Sequence, residues 1–265
     1  MKKRLDTFLS EKGYFPSTSK ARSAILAGQV FLNGMISDKP GKQVDESLVR
    51  TVEIREKERY VSRGGYKLEK ALDDFCISVK NRICMDIGCS TGGFTDCLLQ
   101  RHAGKVYAVD VGYGQFDYGL RRDPAVVLLE KQNIRYLDDK LIKDKIDIIT
   151  IDVSFISVTK FLPDLIRFCG EDFDIIILVK PQFESEKGEV KKGVVTSREQ
   201  HIRIMEKLTD HFTGHGFMIS HFTFSPIKGP KGNVEFLVHL KKKGKGLSSK
   251  EIIEMIREKN FAEIR

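Results

Sequence analysis

The sequence predicts a large α/β domain with a doubly wound, mostly parallel sheet, preceded by a small basic α+β module. Three observations carry this. A unit of strand, glycine loop, helix, strand and acid runs from Ile83 to Asp110. Two nearly continuous apolar runs, 145–153 and 174–180, read as central parallel strands covered on both faces. The first sixty residues instead show short helical stripes and the pair Asn33-Gly34 between apolar pairs, a hairpin signal. A length of 265 residues exceeds one usual domain, and 41% hydrophobic residues suffice for a core. The 45 Lys plus Arg against 37 Asp plus Glu give +8, a modest bias toward polyanions. Five Cys, at 76, 84, 89, 97 and 169, form no Cys-x-x-Cys pair, so neither a zinc site nor a disulfide framework is indicated. Apolar runs fall short of a membrane span, and Asp6, Glu11 and Lys12 interrupt any signal-peptide core. The expectation is a soluble, cytoplasmic protein in a reducing compartment.

In chain order, Leu5, Phe8 and Leu9 have helical spacing. A second helix starts after Ser17, with Ala21, Ala24 and Ile25 on one face, and stops near Gly28. Val30 to Leu32, Met35-Ile36 and Val52 to Ile54 read as short strands. Residues 1–42 hold eight Lys or Arg and three acids, and Lys2, Lys3, Arg4, Lys20 and Arg22 suit one phosphate-contacting surface. The runs Arg4-Leu5-Asp6, Ser19-Lys20-Ala21-Arg22-Ser23 and Gly28-x-Val30-x-Leu32-Asn33-Gly34 resemble the S4-type RNA-binding domain. That resemblance covers about residues 2–60. It implies RNA contacts from Arg4, Ser19, Lys20, Arg22 and the Gly28–Gly34 segment, Asn33 included. Glu53 to Arg59 reads as a linker or strand end.

Tyr60-Val61-Ser62-Arg63-Gly64-Gly65 leads into a helix from Tyr66 to Phe75, with Leu68, Ala71, Leu72 and Phe75 inward and Lys67 beside that stripe. Then comes the glycine unit. Ile83 to Gly88 is a buried strand ending in a polar turn; Ser90, Thr91, Gly92 and Gly93 continue it; a helix starts at Phe94-Thr95. A second strand ends in Asp110, 24 residues after Asp86. Glycines let a chain turn sharply beneath a ligand, and an acid at that place accepts ribose hydroxyls. A dinucleotide site has the same outline. It brings a pyrophosphate, however, which Asp86 would repel, whereas a carboxylate suits the cationic methionine end of S-adenosylmethionine. The methyl donor is therefore favoured.

Val126 to Leu129 is a further short strand. Phe161, Leu165, Ile166 and Cys169 fit a helix, and residues 198–212 form another. Phe217 to Phe224 and Val234 to Leu240 read as the last strands. The loop between them, Ser225 to Asn233, is rich in Pro, Gly and Lys and is expected to reach over substrate. Asp152, Lys180 and Glu235 sit at strand ends, and active groups of open α/β sheets lie beyond the strand carboxyl ends. A lysine closing an apolar strand is the least ordinary of the three.

The runs Tyr60–Leu68, Asp86–Asp96, Val109–Gln115, Ile151–Ser157 and Val179–Glu184 resemble the FtsJ-like ribose 2′-O-methyltransferases, and most closely their TlyA family, historically called haemolysins. The resemblance implies a Rossmann-like methyltransferase fold with a mostly parallel seven-stranded sheet at 61–245. Ahead of it stands the S4-like module at 1–60, and after it a C-terminal basic helix at 246–265. It places the family's Lys-Asp-Lys-Glu tetrad on Lys67, Asp152, Lys180 and Glu235. The cofactor, S-adenosyl-L-methionine, is expected on Asp86, Gly88, Ser90, Thr91, Gly92, Gly93, Phe94, Thr95, Asp110, Val111, Asn133 and Asp152. Asn133 stands where relatives use Asp at the adenine edge. Arg63 joins the RNA-contacting set. Lys180 is the candidate general base, oriented by Lys67 and Glu235, with Asp152 near the transferring methyl. The implied activity is 2′-O-methylation of cytidine in ribosomal RNA or ribosomal subunits, with no metal and no membrane. Three alternatives stand beside it: a non-catalytic RNA-binding protein, a membrane-active haemolysin, and a methyltransferase for proteins or small molecules.

Overall fold

The computed structural model describes residues 2–55, 58–185, 190 and 193–264. Residues 56–57 of the expected linker and Arg265 of the C-terminal segment lie outside them. The chain divides into two compact units, Met1–Arg59 and Tyr60–Arg265.

In the first unit β1 (Lys2–Arg4) is followed by α1 (Leu5–Glu11) and α2 (Thr18–Leu26). Ser17 caps α2 by accepting the Lys20 N–H, and Gly28 ends it at φ +72°. Leu5, Phe8, Leu9, Ala21, Ala24 and Ile25 bury the facing stripes. Next come β2 (Val30–Leu32), β3 (Met35–Ile36), β4 (Gln43–Asp45) and β5 (Val52–Ile54); β2, β3 and β5 form a three-stranded sheet in the order β3-β2-β5. Asn33 and Gly34 both adopt positive φ in the tight β2–β3 turn, for the reason the dipeptide suggested. The antiparallel pairing of β1 with β4 was not foreseen, because three-residue polar strands leave no periodic signal.

The second unit begins with α3 (Gly64–Asp74), β6 (Ile83–Ile87), α4 (Gly93–Gln100), β7 (Lys105–Val109), α5 (Tyr118–Arg121) and β8 (Val126–Leu129). It continues with β9 (Ile146–Ile151), β10 (Cys169–Val179), α6 (Pro181–Glu184), α7 (Arg198–Gly214), β11 (Met218–Phe224), β12 (Phe236–Lys241) and α8 (Ser249–Glu258). The seven strands run in the order β11-β12-β10-β9-β6-β7-β8; β12 pairs antiparallel with β11 and β10, and the other pairings are parallel. From β6 the chain builds outward through β7 and β8, then returns to add β9 and β10 on the other side. The β6–β9 seam is therefore the switch point, where open α/β sheets hold ligands beyond the strand carboxyl ends. Alternate residues of β6 feed different cores: Met85 and Ile87 pack on one face, Cys84 on the other with α3 and α4.

Two details differ from the sequence reading. Between β9 and β10 the expected α-helix is a 3₁₀ segment, Leu162–Phe168. Its buried residues Leu162, Leu165 and Phe168 recur every three positions, and Pro163 removes an early N–H. The last strand starts at Phe236, so Glu235 immediately precedes it. In the C-terminal segment, α8 is opened by a Ser248–Glu251 capping box and buries Ile252 and Ile256 in the main core.

Candidate active site

The turn after β6 is shaped by close approach. Gly88 has φ +81°, and a Cβ there would lie 2.6 Å from the Asp152 carbonyl oxygen across the seam. A Cβ on Gly93 would lie 2.1 Å from Ser62 Oγ, so the Tyr60–Gly65 segment packs directly on the glycine loop. The Val61 N–H donates to Asp96 Oδ2 at 2.8 Å.

At the end of β7, Asp110 is fixed by two amides: Ser90 N–H to Oδ2 at 2.8 Å and Gly112 N–H to Oδ1 at 2.7 Å. Each oxygen keeps a lone pair for a further donor. Asn133 accepts the Arg135 N–H at 3.1 Å through its carboxamide oxygen. Gly88, Ser90, Asp110, Val111, Asn133 and Asp152 line a cavity of about 520 Å³, within the ordinary range for a cofactor. Thr91, Gly93, Phe94 and Arg63 line a second cavity of about 350 Å³, together with Lys67, Lys180 and Glu235. Gly88, Ser90, Asp152 and Ser154 line both cavities.

Asp86, Gly92 and Thr95 line neither. Asp86 was expected to face the cationic end of the cofactor; the structure places it beneath the glycine loop, fully buried. The pleat explains this, since Asp86 shares its side of β6 with Cys84, toward α4. It accepts Thr95 Oγ1 at 2.7 Å and Thr150 Oγ1 at 3.2 Å. Burial pushes its carboxyl up to about 7, opposed by the Thr95 bond. Gly92, at φ +99°, packs against Leu120 and Phe116.

The four charged candidates form two pairs. Lys67 Nζ donates to Glu235 Oε2 at 2.5 Å, with side chains 10% and 0% exposed. Lys67, an ordinary surface position by periodicity, is thus buried on α3. Burial raises the Glu235 carboxyl, and Lys67 opposes the rise. Among the described residues Glu235 Oε1 has no hydrogen-bond partner, and it lies over Gly229, where a Cβ would come within 2.1 Å. The Ser225–Asn233 loop therefore folds onto a charged candidate. Lys180 Nζ approaches Asp152 Oδ1 to 2.6 Å, but its directed hydrogen bond goes to Ser154 Oγ at 2.9 Å. Asp152 Oδ1 is in ion contact with Lys180 yet lacks a well-angled donor among the described residues.

The Asp152 carboxylate, the amide-held Asp110 and the side-chain-free cradle at Gly88 fit a ligand with ribose hydroxyls at one end and a cation at the other. Ser154 stood inside a quoted motif without a role; only its contact with Lys180 distinguishes it. In the small unit, Ser19, Lys20 and Arg22 are exposed on α2. Arg4 is instead paired with buried Asp6 at 2.7 Å, and Asn33 spends its amide on Leu48, Arg50 and Thr51.

A switch-point sheet with this glycine loop, an acid at the end of the second strand and a charged rim defines the S-adenosylmethionine-dependent methyltransferase fold class. The family model described as FtsJ-like methyltransferase matches residues 60–242, and that of the S4 domain matches 3–49. Hemolysin A of Brachyspira hyodysenteriae is 45% identical over 89% of this chain and 98% of that protein. The 16S/23S rRNA (cytidine-2'-O)-methyltransferase TlyA of Mycobacterium tuberculosis is 40% identical over 90% of this chain and 89% of its own length. A solved chain from Streptococcus thermophilus has a TM-score of 0.74 at 39% identity, covering 97% of this chain and 95% of that one. The chain belongs to the FtsJ-like methyltransferase family, among its TlyA members. Among the described residues no helix is long and apolar enough to cross a membrane.

Proposed function

We propose that the protein methylates the ribose 2′-hydroxyl of cytidine in ribosomal RNA, with S-adenosylmethionine as donor, in the cytoplasm where ribosomal subunits are made. One observation carries this reading: Lys67, Asp152, Lys180 and Glu235, from separate elements, line one cavity that shares its wall with the cofactor-sized one. The TlyA relatives, named for that activity, support the choice of substrate.

When bound, S-adenosylmethionine supplies a methyl group already activated by a sulfonium. The protein supplies alignment and removes a proton. Asp110 would hold the donor's ribose hydroxyls, Asn133 its adenine edge and Asp152 its cationic end. Lys180, kept in place by Ser154 and Asp152, is the group that takes the proton of the 2′-hydroxyl. Lys67, tied to Glu235, orients that hydroxyl with a fixed positive charge. Exposed Ser19, Lys20 and Arg22, with Arg63 at the cavity mouth, contact the RNA backbone.

Single-turnover methyl transfer at saturating donor and RNA tests the mechanism. Lys180→Ala lowers the rate by about 10²–10⁴-fold while donor affinity by calorimetry holds. Lys180→Arg does not recover it, because guanidinium stays protonated. A near wild-type Lys180→Arg rate would remove the base assignment. Alkaline hydrolysis tests the substrate: wild-type enzyme leaves an alkali-resistant linkage at a cytidine of ribosomal RNA, and a uniformly cleaved product would remove the proposal.

A further inference from the structure

The buried acid Glu184 has no part in the chemistry above, yet it joins the two loops that carry that chemistry. It sits at the end of α6, four residues after Lys180, and is 8% exposed. Its Oε2 accepts Ser157 Oγ at 2.5 Å and its Oε1 accepts the Val158 N–H at 3.0 Å. Both partners belong to the loop that leaves β9 through Asp152 and Ser154. A single carboxylate thus bolts the segment after β10 to the segment after β9.

The loop it holds is not in a relaxed conformation. Phe155 has φ +66°, a left-handed geometry that a bulky residue adopts only when its surroundings enforce it. The reversal at Phe155 lies between the residues facing Lys180 and the residues held by Glu184. Its ring rests on Phe183 of α6 with centroids 5.0 Å apart, a second contact between the same two segments. Upstream of the turn, Ser154 Oγ accepts from Lys180 Nζ. Downstream, Ser157 and Val158 are pinned.

We infer that Glu184 is a positioning residue: it fixes the β9 loop against α6, so that Ser154 and Asp152 meet Lys180 in one geometry. This rests on the reading of Lys180 as proton acceptor only for its effect on rate. Hydrogen bonds to a charged acceptor are the strong ones, which suits a clamp made of two contacts. Burial raises the Glu184 carboxyl and the Ser157 bond opposes the rise, as expected where a carboxylate depends on its donors for solvation.

The test uses the full chain in single-turnover methyl transfer at saturating donor and RNA, with thermal melting alongside. Glu184→Ala lowers the rate by about 10–10²-fold, the scale of a displacement near 1 Å. Glu184→Gln, which keeps the shape and one acceptor, restores most of it. Ser157→Ala removes one of the two bonds from the other side, so combined with Glu184→Ala it costs no further rate. If the Glu184→Ala chain fails to fold, Glu184→Gln and Ser157→Ala still carry the test, each expected to slow transfer severalfold with little change in melting temperature. A wild-type rate with lowered melting temperature, or rate losses that multiply in the double variant, overturns the inference. A near wild-type Lys180→Arg enzyme alongside a slow Glu184→Ala enzyme would remove the base assignment and leave the clamp standing, acting through Asp152.

Discussion

Lys67 and Lys20 carry the same ammonium group and meet opposite fates. Lys67 lies on α3 with its side chain 10% exposed, 2.5 Å from a fully buried carboxylate. Lys20 lies on α2, exposed, and neither it nor its neighbour Arg22 makes an ion pair among the described residues. Solvation decides what each charge can do. A buried cation must have a partner, and that partner fixes its position to fractions of an ångström. An exposed cation keeps its water and counterions, moves freely, and acts at a distance that salt controls. The first kind suits the orientation of a single hydroxyl. The second suits the capture of a polyanion.

The largest effect belongs to the buried pair. Lys67→Ala takes from the buried Glu235 carboxyl the cation that hydrogen-bonds it, which costs about 3–5 kcal/mol of unfolding free energy. Urea denaturation at low and high salt measures it, and the loss holds at both. Adding Glu235→Gln to Lys67→Ala returns part of the stability, because the unpartnered carboxyl is gone. A loss below about 1 kcal/mol, the scale of surface pairs, would show that water reaches the pair and would erase the contrast with Lys20.

Asp86 sharpens the contrast from the acidic side, since it is fully buried with threonine hydroxyls as its hydrogen-bonding partners. Its carboxyl stands at about 7 in the folded chain, raised from 3.8, so the folded state holds a proton that the unfolded state releases. The contribution of this group to stability therefore falls as pH rises from about 4 through about 7, by at most about 4 kcal/mol. Asp86→Asn removes that slope. Unfolding free energies measured from pH 4 to 8 should diverge in favour of the variant toward the alkaline end. Parallel curves would mean that Asp86 titrates as an ordinary carboxylate.

Asp110 stands between the extremes, half-exposed and held by two amides. Asp110→Ala removes the acceptor proposed for the donor's ribose hydroxyls and weakens S-adenosylmethionine binding by roughly 1–3 kcal/mol. Calorimetry reads this directly. An unchanged affinity would move the ribose elsewhere in the larger cavity.

The sheet was legible because β6, β7, β9 and β10 are apolar runs, and buried parallel strands can be nothing else. The glycine loop was legible because close approach demands missing side chains at Gly88 and Gly93. The 3₁₀ segment at Leu162–Phe168 was misread as an α-helix because a three-residue and a 3.6-residue period barely diverge over seven positions. The direction of Asp86 was misread because the motif names a residue type at a strand end, whereas the pleat decides which face it joins. Lys67 looked like a surface residue beside an apolar stripe, since its burial depends on Glu235, 168 positions away. No local pattern announces Ser154 or Glu184, because both act across strands that are neighbours only in the folded sheet.

The smallest effect tests the exposed side of the comparison. Each phosphate neutralised by a cation releases condensed counterions, so the logarithm of RNA affinity falls with the logarithm of salt by about 0.9 per contact on a duplex and about 0.7 on a single strand. Lys20 and Arg22 together should then account for about 1.4–1.8 of the slope. Lys20→Ala with Arg22→Ala flattens the plot by that amount. It leaves melting temperature and donor affinity unchanged, because neither side chain is buried or paired. The comparison demands an asymmetry: Lys67→Ala, which removes the same formal charge, leaves the slope as it was, since a cation already neutralised by Glu235 neutralises no phosphate and so displaces no counterions from the RNA. Filter binding over a salt series measures both. An unflattened slope in the α2 variant would show that this face does not touch RNA. A flattened slope in the Lys67 variant would show that the buried lysine reaches a phosphate, and its pairing with Glu235 would then have to open when RNA binds.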